Sequence, residues 1–452
     1  MSVRSGDKKT KILNPITIEK DFGGPIGALF LTIFLPLTTI FLHLCCNEKY
    51  LLQGLSLEFN KVKDLFYDEV IVNFKENFFN ERIWLVYCSW FFILVFLDFI
   101  LPGKHLKGVE LRDGTKLSYK INGLAMMGLL ASTLIARFIQ TNGEMPELSF
   151  IYDNILSLLC TSIFFSILLS CFVYICSYLP LMMSKNGINT NERILAAGGN
   201  SGNVIFDWFM GRELNPRILT WDIKLYCELR PGMLLWLLIN ISCLHKHYIE
   251  TGGKLNQSLL LVNLLQGFYI VDGVLNEEGC LSMIDITTDG FGFMLAFGDL
   301  TWVPFTYSLQ SRYLVLNPIQ IGWLNFSLII LLNILGYYVF HSSNSQKANF
   351  RKDPASFNQM KSIKTKTGTL LLCDGWWKLS QHINYFGDWI MSWSWCLPTG
   401  FNTPLTYFYV IYFGFLLLHR QKRDEDKCRK KYGESWKEYE RKVPYKIIPY
   451  IY

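Results

Sequence analysis

Long apolar runs alternate with short polar segments along nearly the whole chain. A helix needs about 20 predominantly apolar residues to cross the hydrocarbon core of a bilayer. Runs near that length predict transmembrane helices at 25–44, 84–101, 121–139, 155–180, 232–249, 257–275, 290–310, 321–340, 385–400 and 404–418. The pattern therefore predicts an all-α fold, a polytopic membrane protein with a bundle of about ten transmembrane helices.

The polar segments predict how this bundle is oriented. An even number of spans places both ends of the chain on one side, and Lys and Arg prefer the cytoplasmic side. The start of the chain, the loops 102–120 and 341–384, and the tail after 418 are all basic. The opposite side receives 45–83, rich in Glu and Asp, and 140–154, which lacks Lys and Arg. We expect a short cytoplasmic segment at 1–20 and one transmembrane domain at 21–452.

The composition agrees with a membrane domain, because 51% of the residues are hydrophobic and only 18% are charged. The net charge of +6 is spread between the apolar runs. It forms no basic recognition helix, so nucleic acid is not an expected partner. The 12 cysteines lie mostly within apolar runs and form no CxxC pair, which argues against a zinc site or a disulfide framework. We expect no metal.

One apolar stretch, 271–307, contains acidic residues but no Lys or Arg. Its acidic residues are Asp272, Glu277, Glu278, Asp285, Asp289 and Asp299. Ionisable groups at membrane depth are costly and usually face a cavity, so they indicate a functional site. We interpret the stretch as the wall of a pocket, and an ordinary acidic loop is the alternative.

A glycine-rich segment, AAGGNSGNVIFDWFMGRELNPR at 196–217, is a second concentration of polar residues. Its glycines could cradle a phosphate, yet they match neither the GxGxxG nor the GxxxxGK[ST] pattern. A ligand contact and a packed polar loop therefore both remain open for this segment.

The last quarter of the chain, from 341, combines basic and aromatic residues. Lys347 and Arg351 are one helical turn apart, so they project together. In the tail, a second helical face gathers Arg420, Asp424, Cys428 and Lys431. Cations bind phosphates and aromatic rings stack on a base, so these two faces suit an aromatic ligand with several phosphates. The alternative is a solvated basic tail beside the membrane.

Four segments together resemble the sterol reductase family of the endoplasmic reticulum. They are GGNSGNVIFDWFMGRELNPR at 198–217, DGFGFMLAFGDLTWVPFTYSLQSRYL at 289–314, LLCDGWWKLSQHINYFGDW at 371–389 and LLHRQKRDEDKCRKKYG at 417–433. Two more, ELRPGMLLWLLINISC at 228–243 and FYIVDGVLNEEG at 268–279, are most similar to the fungal C-14 reductases of that family. The resemblance therefore covers most of the chain.

The resemblance implies ten transmembrane helices with NADPH in a cytoplasmic pocket of the C-terminal half, in 341–452. The implied cofactor contacts are Lys347, Arg351, Leu372, Trp377, Asn384, Tyr385, Asp424, Cys428, Arg429, Lys430, Lys431, Tyr432 and Tyr439. It also implies a multi-pass protein of the endoplasmic reticulum membrane with both termini in the cytoplasm. The expected partners are a sterol from the membrane, the lipid bilayer and other enzymes of sterol biosynthesis.

The implied reaction is reduction of the C14=C15 double bond of a sterol intermediate in ergosterol biosynthesis. An isolated alkene is a poor hydride acceptor, so protonation at C15 must first create a tertiary cation at C14. The proton donor needs a buried environment that keeps it protonated. The candidates are Glu277, which we favour, then Tyr269, and also Asp289, Glu278 and Asp285.

Three other functions fit parts of the same pattern. The chain could reduce another sterol double bond, at C-7 or C-24(28), or act as a sterol-binding scaffold without enzymatic activity, like the lamin B receptor. A membrane methyltransferase for isoprenylated cysteine has a similar tail pattern. Its ligand S-adenosylmethionine lacks phosphates, however, which leaves Lys347 and Arg351 unexplained.

Overall fold

Helices account for 67% of the chain in the computed structural model, which describes residues 12–180, 192–366 and 368–452. The first ten described helices are α1 (Gly24–Leu44), α2 (Phe59–Phe66), α3 (Phe74–Phe79), α4 (Glu81–Ile100), α5 (Gly123–Gln140), α6 (Pro146–Asp153), α7 (Ile155–Cys176), α8 (Val204–Met210), α9 (Ile223–Leu229) and α10 (Pro231–Glu250). The next ten are α11 (Gln257–Leu275), α12 (Glu277–Cys280), α13 (Ile284–Thr287), α14 (Phe293–Phe297), α15 (Val303–Thr306), α16 (Leu309–Leu316), α17 (Gly322–Lys352), α18 (Ile383–Cys396), α19 (Phe408–Tyr432) and α20 (Glu434–Lys442).

Three two-stranded antiparallel sheets complete the described secondary structure. They pair β1 (Lys104–Glu110) with β2 (Lys116–Ile121), β3 (Arg217–Ile218) with β4 (Trp221–Asp222), and β5 (Ser362–Lys364) with β6 (Leu370–Leu372). Each pair is a local hairpin, and none of them joins distant parts of the chain. The predicted class, a helical membrane protein, is confirmed with these small hairpins added to it.

The chain divides into two compact units. The first unit comprises 1–51, 58–254 and 267–312, and the second comprises 52–57, 255–266 and 313–452. Of the predicted N-terminal segment 1–20, residues 1–11 lie outside the described residues. Residues 12–20 form neither helix nor strand. They lie alongside the loop at 193–200, to which Asn14 and Thr17 are hydrogen-bonded.

Seven helical segments among the described residues are long and apolar enough to cross a membrane. They are Asp21–Leu44, Phe74–Ile100, Gly123–Gln140, Ile155–Cys176, Ile223–Glu250, Gln257–Leu275 and Gly322–Lys352. Each contains or overlaps one of the ten predicted spans, so these seven positions match the prediction. The protein is therefore a multi-pass membrane protein.

The other three predicted spans coincide with shorter or interrupted helices. The run 290–310 is divided among α14, a π-helical turn at Gly298–Trp302, α15 and the start of α16. Glycine and proline weaken a continuous helix, and Gly292, Gly298 and Pro304 occur at these breaks. The run 385–400 yields only the 14-residue α18, and 404–418 forms the apolar beginning of α19, whose second half is charged.

Aromatic rings and small polar groups hold the first unit together. The Phe91 ring on α4 lies 4.8 Å from Phe165 on α7 and 5.2 Å from Tyr226 on α9, centroid to centroid. In the same unit, Thr301 donates to the Ser162 hydroxyl at 3.0 Å. Such pairs of small polar residues satisfy hydroxyl groups that lipid cannot hydrogen-bond.

Three glycines let two backbone segments of the first unit touch. A Cβ atom on Gly211, where φ is +87°, would lie 2.3 Å from the carbonyl carbon of Gly290 and 2.4 Å from the nitrogen of Gly292. Any side chain there would force the segments apart. Gly211 in the segment 196–217, together with Gly290 and Gly292, therefore serves close packing of the two backbone segments.

In the second unit, α17 and α18 cross with their backbones in contact. A Cβ atom on Gly387 would lie 2.6 Å from the Phe340 nitrogen and 2.7 Å from the Gly336 oxygen. Small residues at a crossing allow this approach, as in other membrane helix pairs. The contact fixes the C-terminal end of α17 beside the N-terminal end of α18.

We predict that Gly387→Val separates α17 from α18. Overpacking of this kind should lower the free energy of unfolding by about 1–3 kcal/mol, measured as a lower thermal transition in detergent. Gly128→Val is the matched control, because a Cβ atom on Gly128 of α5 has nothing within 4 Å. Equal transition temperatures for the two variants would contradict the prediction.

Candidate functional site

The two predicted cations of α17 occupy different environments. The Nζ of the half-buried Lys347 lies 3.8 Å from the ring centroid of Trp377, which is a cation–π contact. Trp377 is buried, and its Nε1 donates to the Ser343 carbonyl at 3.0 Å. One turn further, Arg351 is exposed and forms no ion pair with any residue that the structure describes. Arg351 is thus available to an anionic ligand.

A short turn after β6 positions Trp377. The Asp374 carboxylate accepts from the amides of Gly375 at 2.8 Å and Lys361 at 3.1 Å, and these hydrogen bonds lower its pKa. The following 3₁₀ turn, Gly375–Lys378, directs Trp377 against α17. Leu372 lies in the core that supports this turn, which contains Val339, Phe350, Leu372, Trp377 and Ile383.

The N-terminal end of α18 adds an amide and a ring. The Asn384 amide donates to the Asn344 side chain of α17 at 3.1 Å. Its Oδ1 is buried and accepts no hydrogen bond from the described part of the chain. The Tyr385 ring is stacked on His382, with centroids 4.8 Å apart and an interplanar angle of 18°. A buried acceptor beside a ring plane is suited to a polar aromatic ligand.

One face of α19 carries Asp424 and Cys428. The Cys428 sulfur is 3.9 Å from Asp424 Oδ2, and the His382 Nε2 lies 3.8 Å from the same oxygen. Burial, followed by the Asp424 charge, raises the pKa of Cys428 to about 12. The thiol therefore stays protonated at neutral pH, and a nucleophilic role is not supported.

The remaining tail residues lie at the end of α19 and on α20. Arg429 pairs with Glu425 and with Glu440, and Lys446 bonds each of these acids at 3.1 Å. Lys430 and Lys431 are exposed, and the Lys431 Nζ lies 5.0 Å from the Tyr432 ring centroid. Tyr439 is buried against Trp436. Arg429 thus takes part in a salt-bridge network of the protein itself, unlike Arg351.

The structure brings ten of the thirteen predicted cofactor residues into one connected group: Lys347, Arg351, Leu372, Trp377, Asn384, Tyr385, Asp424, Cys428, Tyr432 and Tyr439. The last two join it through Cys428, because Cys428 and Tyr432 both pack against the cluster that contains Trp436 and Tyr439. The other three, at 429–431, are exposed. The group offers cations, ring planes and buried polar atoms that have no hydrogen-bond partner among the described residues. These are the features that bind phosphates and planar heterocycles.

The predicted catalytic residues lie in the first unit. Glu277 is almost fully buried and forms an ion pair with Arg230 through Oε1, while its Oε2 accepts from the Gly123 amide at 2.8 Å. Arg230 also donates to Asn122 at 3.1 Å. Both carboxylate oxygens of Glu277 are therefore engaged by protein donors.

Asp289 and Tyr269 have different surroundings. Asp289 is buried, and its main-chain carbonyl accepts from the fully buried Lys224 at 2.7 Å. Tyr269 is half-buried, with its ring centroid 6.3 Å from that of Trp236, which in turn packs 5.3 Å from Tyr307. Aromatic faces of this kind can stabilise a nearby cation.

The glycine-rich segment is a packed polar loop. The amides of Ser201 and Gly202 donate to the Asp207 carboxylate at 2.7 and 2.8 Å, and the Asn200 amide donates to Thr17 at 2.9 Å. The Gly199 and Asn203 amides also donate within the protein. Because the main-chain amides of 199–203 all donate hydrogen bonds within the protein, they form no phosphate cradle.

Sequence reasoning missed residues that the structure places at both sites. His382 belongs to the same HINY motif as Asn384 and Tyr385, and this proximity in the sequence could have indicated that it lies at the site. Arg230 belongs to the ELRPG motif, but a sequence gives no sign that it pairs with a residue 47 positions later. Gly123 was also missed, although a Cβ atom there would meet Arg230 and Glu277 at 2.7 Å.

The pH dependence of stability should reflect His382. Burial, then the charges of Lys347 and Lys446, lowers its pKa from 6.5 to about 3. Below pH 6.5 His382 is therefore protonated in the unfolded chain but stays neutral in the folded chain. The free energy of unfolding consequently falls as the pH is lowered. We expect a loss of about 2 kcal/mol between pH 7 and pH 5 from this group.

The measurement is thermal unfolding in detergent at pH 7, 6 and 5, on the unchanged protein and on His382→Phe. The variant retains an aromatic ring but lacks the titrating nitrogen, so its transition should fall less over this range. Parallel pH curves for the two proteins would contradict the assignment.

Comparisons with known proteins cover both units. A sequence profile of the "Ergosterol biosynthesis ERG4/ERG24 family" matches residues 16–452. The chain is 58% identical to "Delta(14)-sterol reductase ERG24" of Candida albicans over 455 residues, which cover 98% of this chain and 100% of that protein. It is 58% identical to the protein of the same name in Saccharomyces cerevisiae over 446 residues, covering 97% and 99%. Identity to "Delta(14)-sterol reductase erg24" of Schizosaccharomyces pombe is 43% over 437 residues, covering 96% and 97%.

Proposed function

This chain belongs to the ergosterol biosynthesis ERG4/ERG24 family, and we propose that it reduces the C14=C15 double bond of a sterol intermediate in ergosterol biosynthesis. The observation that carries this proposal is the near full-length similarity to proteins named Delta(14)-sterol reductase. The second unit supports it, because one connected group of residues there combines an exposed cation, ring planes and buried polar atoms that have no hydrogen-bond partner in the described part of the chain.

NADPH is the proposed reductant. When bound, it would supply the hydride that neutralises a cation at C14. Arg351 and Lys347 would bind its phosphates, and Trp377 and Tyr385 would offer planar surfaces. The buried Asn384 Oδ1, which lacks a partner among the described residues, would accept from an amide or amine of the cofactor. Asp424 would accept from a hydroxyl or amide.

The proposed location is the endoplasmic reticulum membrane, with both termini and the cofactor pocket in the cytoplasm. The proposal retains ten spans, in which α18, the beginning of α19 and the interrupted run 290–310 complete the seven long helices. Short helices can lie at membrane depth where other helices cover them. Buried side chains in 290–310, including Phe291, Phe293 and Phe297, support this arrangement.

The chemistry requires one proton at C15, and the surroundings of the candidates rank them. Tyr269 is half-buried beside the ring of Trp236, which packs against Tyr307 on another side. Glu277, which sequence reasoning favoured, presents no oxygen to a substrate, because Arg230 and the Gly123 amide engage both. We therefore place Tyr269 first and Glu277 second, with Asp289 third because its segment is tied to Lys224.

The function is tested by assaying the purified protein with NADPH and three sterols, unsaturated at C14, C-7 or C-24(28). We expect reduction of the C14 substrate, with slow or no turnover of the other two. Preferred turnover of another sterol would assign a different reductase activity, and binding without turnover would favour a scaffold.

We predict that Arg351→Ala and Lys347→Ala weaken NADPH binding. Each removes a charge-assisted contact of about 1.5–3 kcal/mol, which corresponds to roughly 10–150-fold in Kd. Lys352→Ala is the matched control, because it removes a neighbouring exposed charge from the same helical turn. The measurement is titration with NADPH and NADH, and unchanged NADPH affinity in both variants would remove these residues from the site.

We predict that Tyr269→Phe lowers kcat by about 10²–10⁴-fold while NADPH and sterol binding change little, because it removes the hydroxyl that carries the transferable proton and keeps the ring. Glu277→Gln should instead lower the thermal transition, because the buried Arg230 then keeps only its longer 3.8 Å ionic contact with Asp98. Normal turnover of Tyr269→Phe, together with a folded but inactive Glu277→Gln, would identify Glu277 as the donor.

A further inference from the structure

The side chain of His382 is held by two constraints in the second unit. Its main-chain amide donates to the Lys446 carbonyl at 2.8 Å, which ties it to the tail. Its ring is stacked nearly parallel to Tyr385. The residue is only 5% exposed, so the imidazole has little freedom to move. The position of its nitrogens is therefore fixed by the fold.

The His382 Nε2 has no hydrogen-bond partner among the residues at 12–180, 192–366 and 368–452. The Asp424 Oδ2 is 3.8 Å away, which is too long for a hydrogen bond. A buried polar atom of this kind is normally satisfied, and an exception indicates a missing partner. One further oxygen within hydrogen-bonding distance of both atoms would satisfy the nitrogen.

The groups around the ring determine its charge. Asp424 faces it from α19, Lys347 from α17 and Lys446 from the tail segment after α20. Asp424 Oδ2 also receives a weak contact from the Cys428 thiol at 3.9 Å. Burial and the two lysines lower the pKa of His382 to about 3, so the ring is neutral at physiological pH. A neutral imidazole offers one N–H donor and one acceptor.

We propose that His382 Nε2 and the Asp424 carboxylate together bind one sugar hydroxyl of the dinucleotide. A hydroxyl can donate its O–H to the carboxylate and accept the imidazole N–H at the same time. When Nε2 carries the ring proton, a carbonyl group, which can only accept, and an amide NH₂, which can only donate, each leave one of the two partners unsatisfied. An oxygen about 2.8 Å from each atom fits the 3.8 Å separation. The inference rests on the proposed use of NADPH.

The competing explanation is that His382 only packs against Tyr385. That role needs a flat ring and no nitrogen, so His382→Phe would satisfy it. The hydroxyl contact needs the nitrogen, and His382→Gln supplies an amide N–H at similar reach. Asp424→Asn tests the carboxylate, the acceptor of the proposed contact. The three variants therefore separate ring packing from hydrogen bonding.

The experiment titrates the purified full-length protein, without sterol, with NADPH and measures Kd. We expect His382→Phe and Asp424→Asn each to raise Kd about tenfold, as for the loss of one hydrogen bond to a charged or polar group. His382→Gln should recover part of the loss. Thermal unfolding of each variant shows whether it is folded before its Kd is compared.

The decisive comparison uses NADPH analogues that lack one hydroxyl: the 2′- or 3′-hydroxyl of the nicotinamide ribose, or the 3′-hydroxyl of the adenosine ribose. For the unchanged protein, the Kd of one analogue should be about tenfold higher than that of NADPH. For His382→Phe, the Kd of the same analogue should not rise further. Such non-additivity is expected only for groups in contact.

Additive losses for every analogue would overturn the inference, and so would NADPH binding by His382→Phe at the unchanged Kd. If the unaltered protein does not bind NADPH at all, the proposed function itself fails. That result is distinguishable, because it requires no variant.

Discussion

The backbone contact between Gly336 and Gly387 is the constraint on which the second unit depends. It sets the separation of α17 and α18, and therefore the separation of every side chain that the two helices present to the candidate site. The Asn344–Asn384 hydrogen bond and the Lys347–Trp377 contact lie beyond this crossing, toward the same helix ends. Because main-chain atoms meet directly, no side chain can relax to absorb a change, which gives the site a defined geometry.

Ionic pairing in this unit is selective. Glu425 and Glu440 neutralise Arg429 and Lys446, so the tail is stabilised by its own acids. Lys347 is placed on an indole ring, and Arg351 lies in solvent. A cation on an aromatic face keeps most of its charge available, whereas a carboxylate partner would cancel it. The distribution leaves the charge of Arg351 exposed and neutralises that of Arg429 and Lys446.

The sequence permitted prediction of the membrane class and of seven long spans, because a continuous apolar run and a spanning helix are the same physical requirement. It identified the Lys347–Arg351 turn and the motif of Trp377, Asn384 and Tyr385 by spacing and resemblance. It could not show that Arg230 neutralises Glu277, since pairing across 47 residues depends on tertiary packing. For the same reason the sequence of 196–217 is compatible with both a ligand contact and a packed polar loop. The structure favours the loop, because Asp207 and Thr17 accept hydrogen bonds from its amides.

The buried pair of Arg230 and Glu277 also restricts how this chain can change over evolutionary time. Removing Arg230 alone leaves the Glu277 carboxylate uncompensated in the protein interior, and removing Glu277 alone leaves Arg230 only the 3.8 Å ionic contact with Asp98. Breaking a buried ion pair in this way typically costs about 3–5 kcal/mol. That is a large part of the stability of a typical domain. Replacing both by apolar residues can be neutral, yet every single-step route to that state passes through a destabilised intermediate. Gly123 has no room for a side chain beside the pair, so a larger residue at this position would also disturb the pair. Three positions far apart in the sequence are thus physically coupled, and a change at one alters what the other two can tolerate.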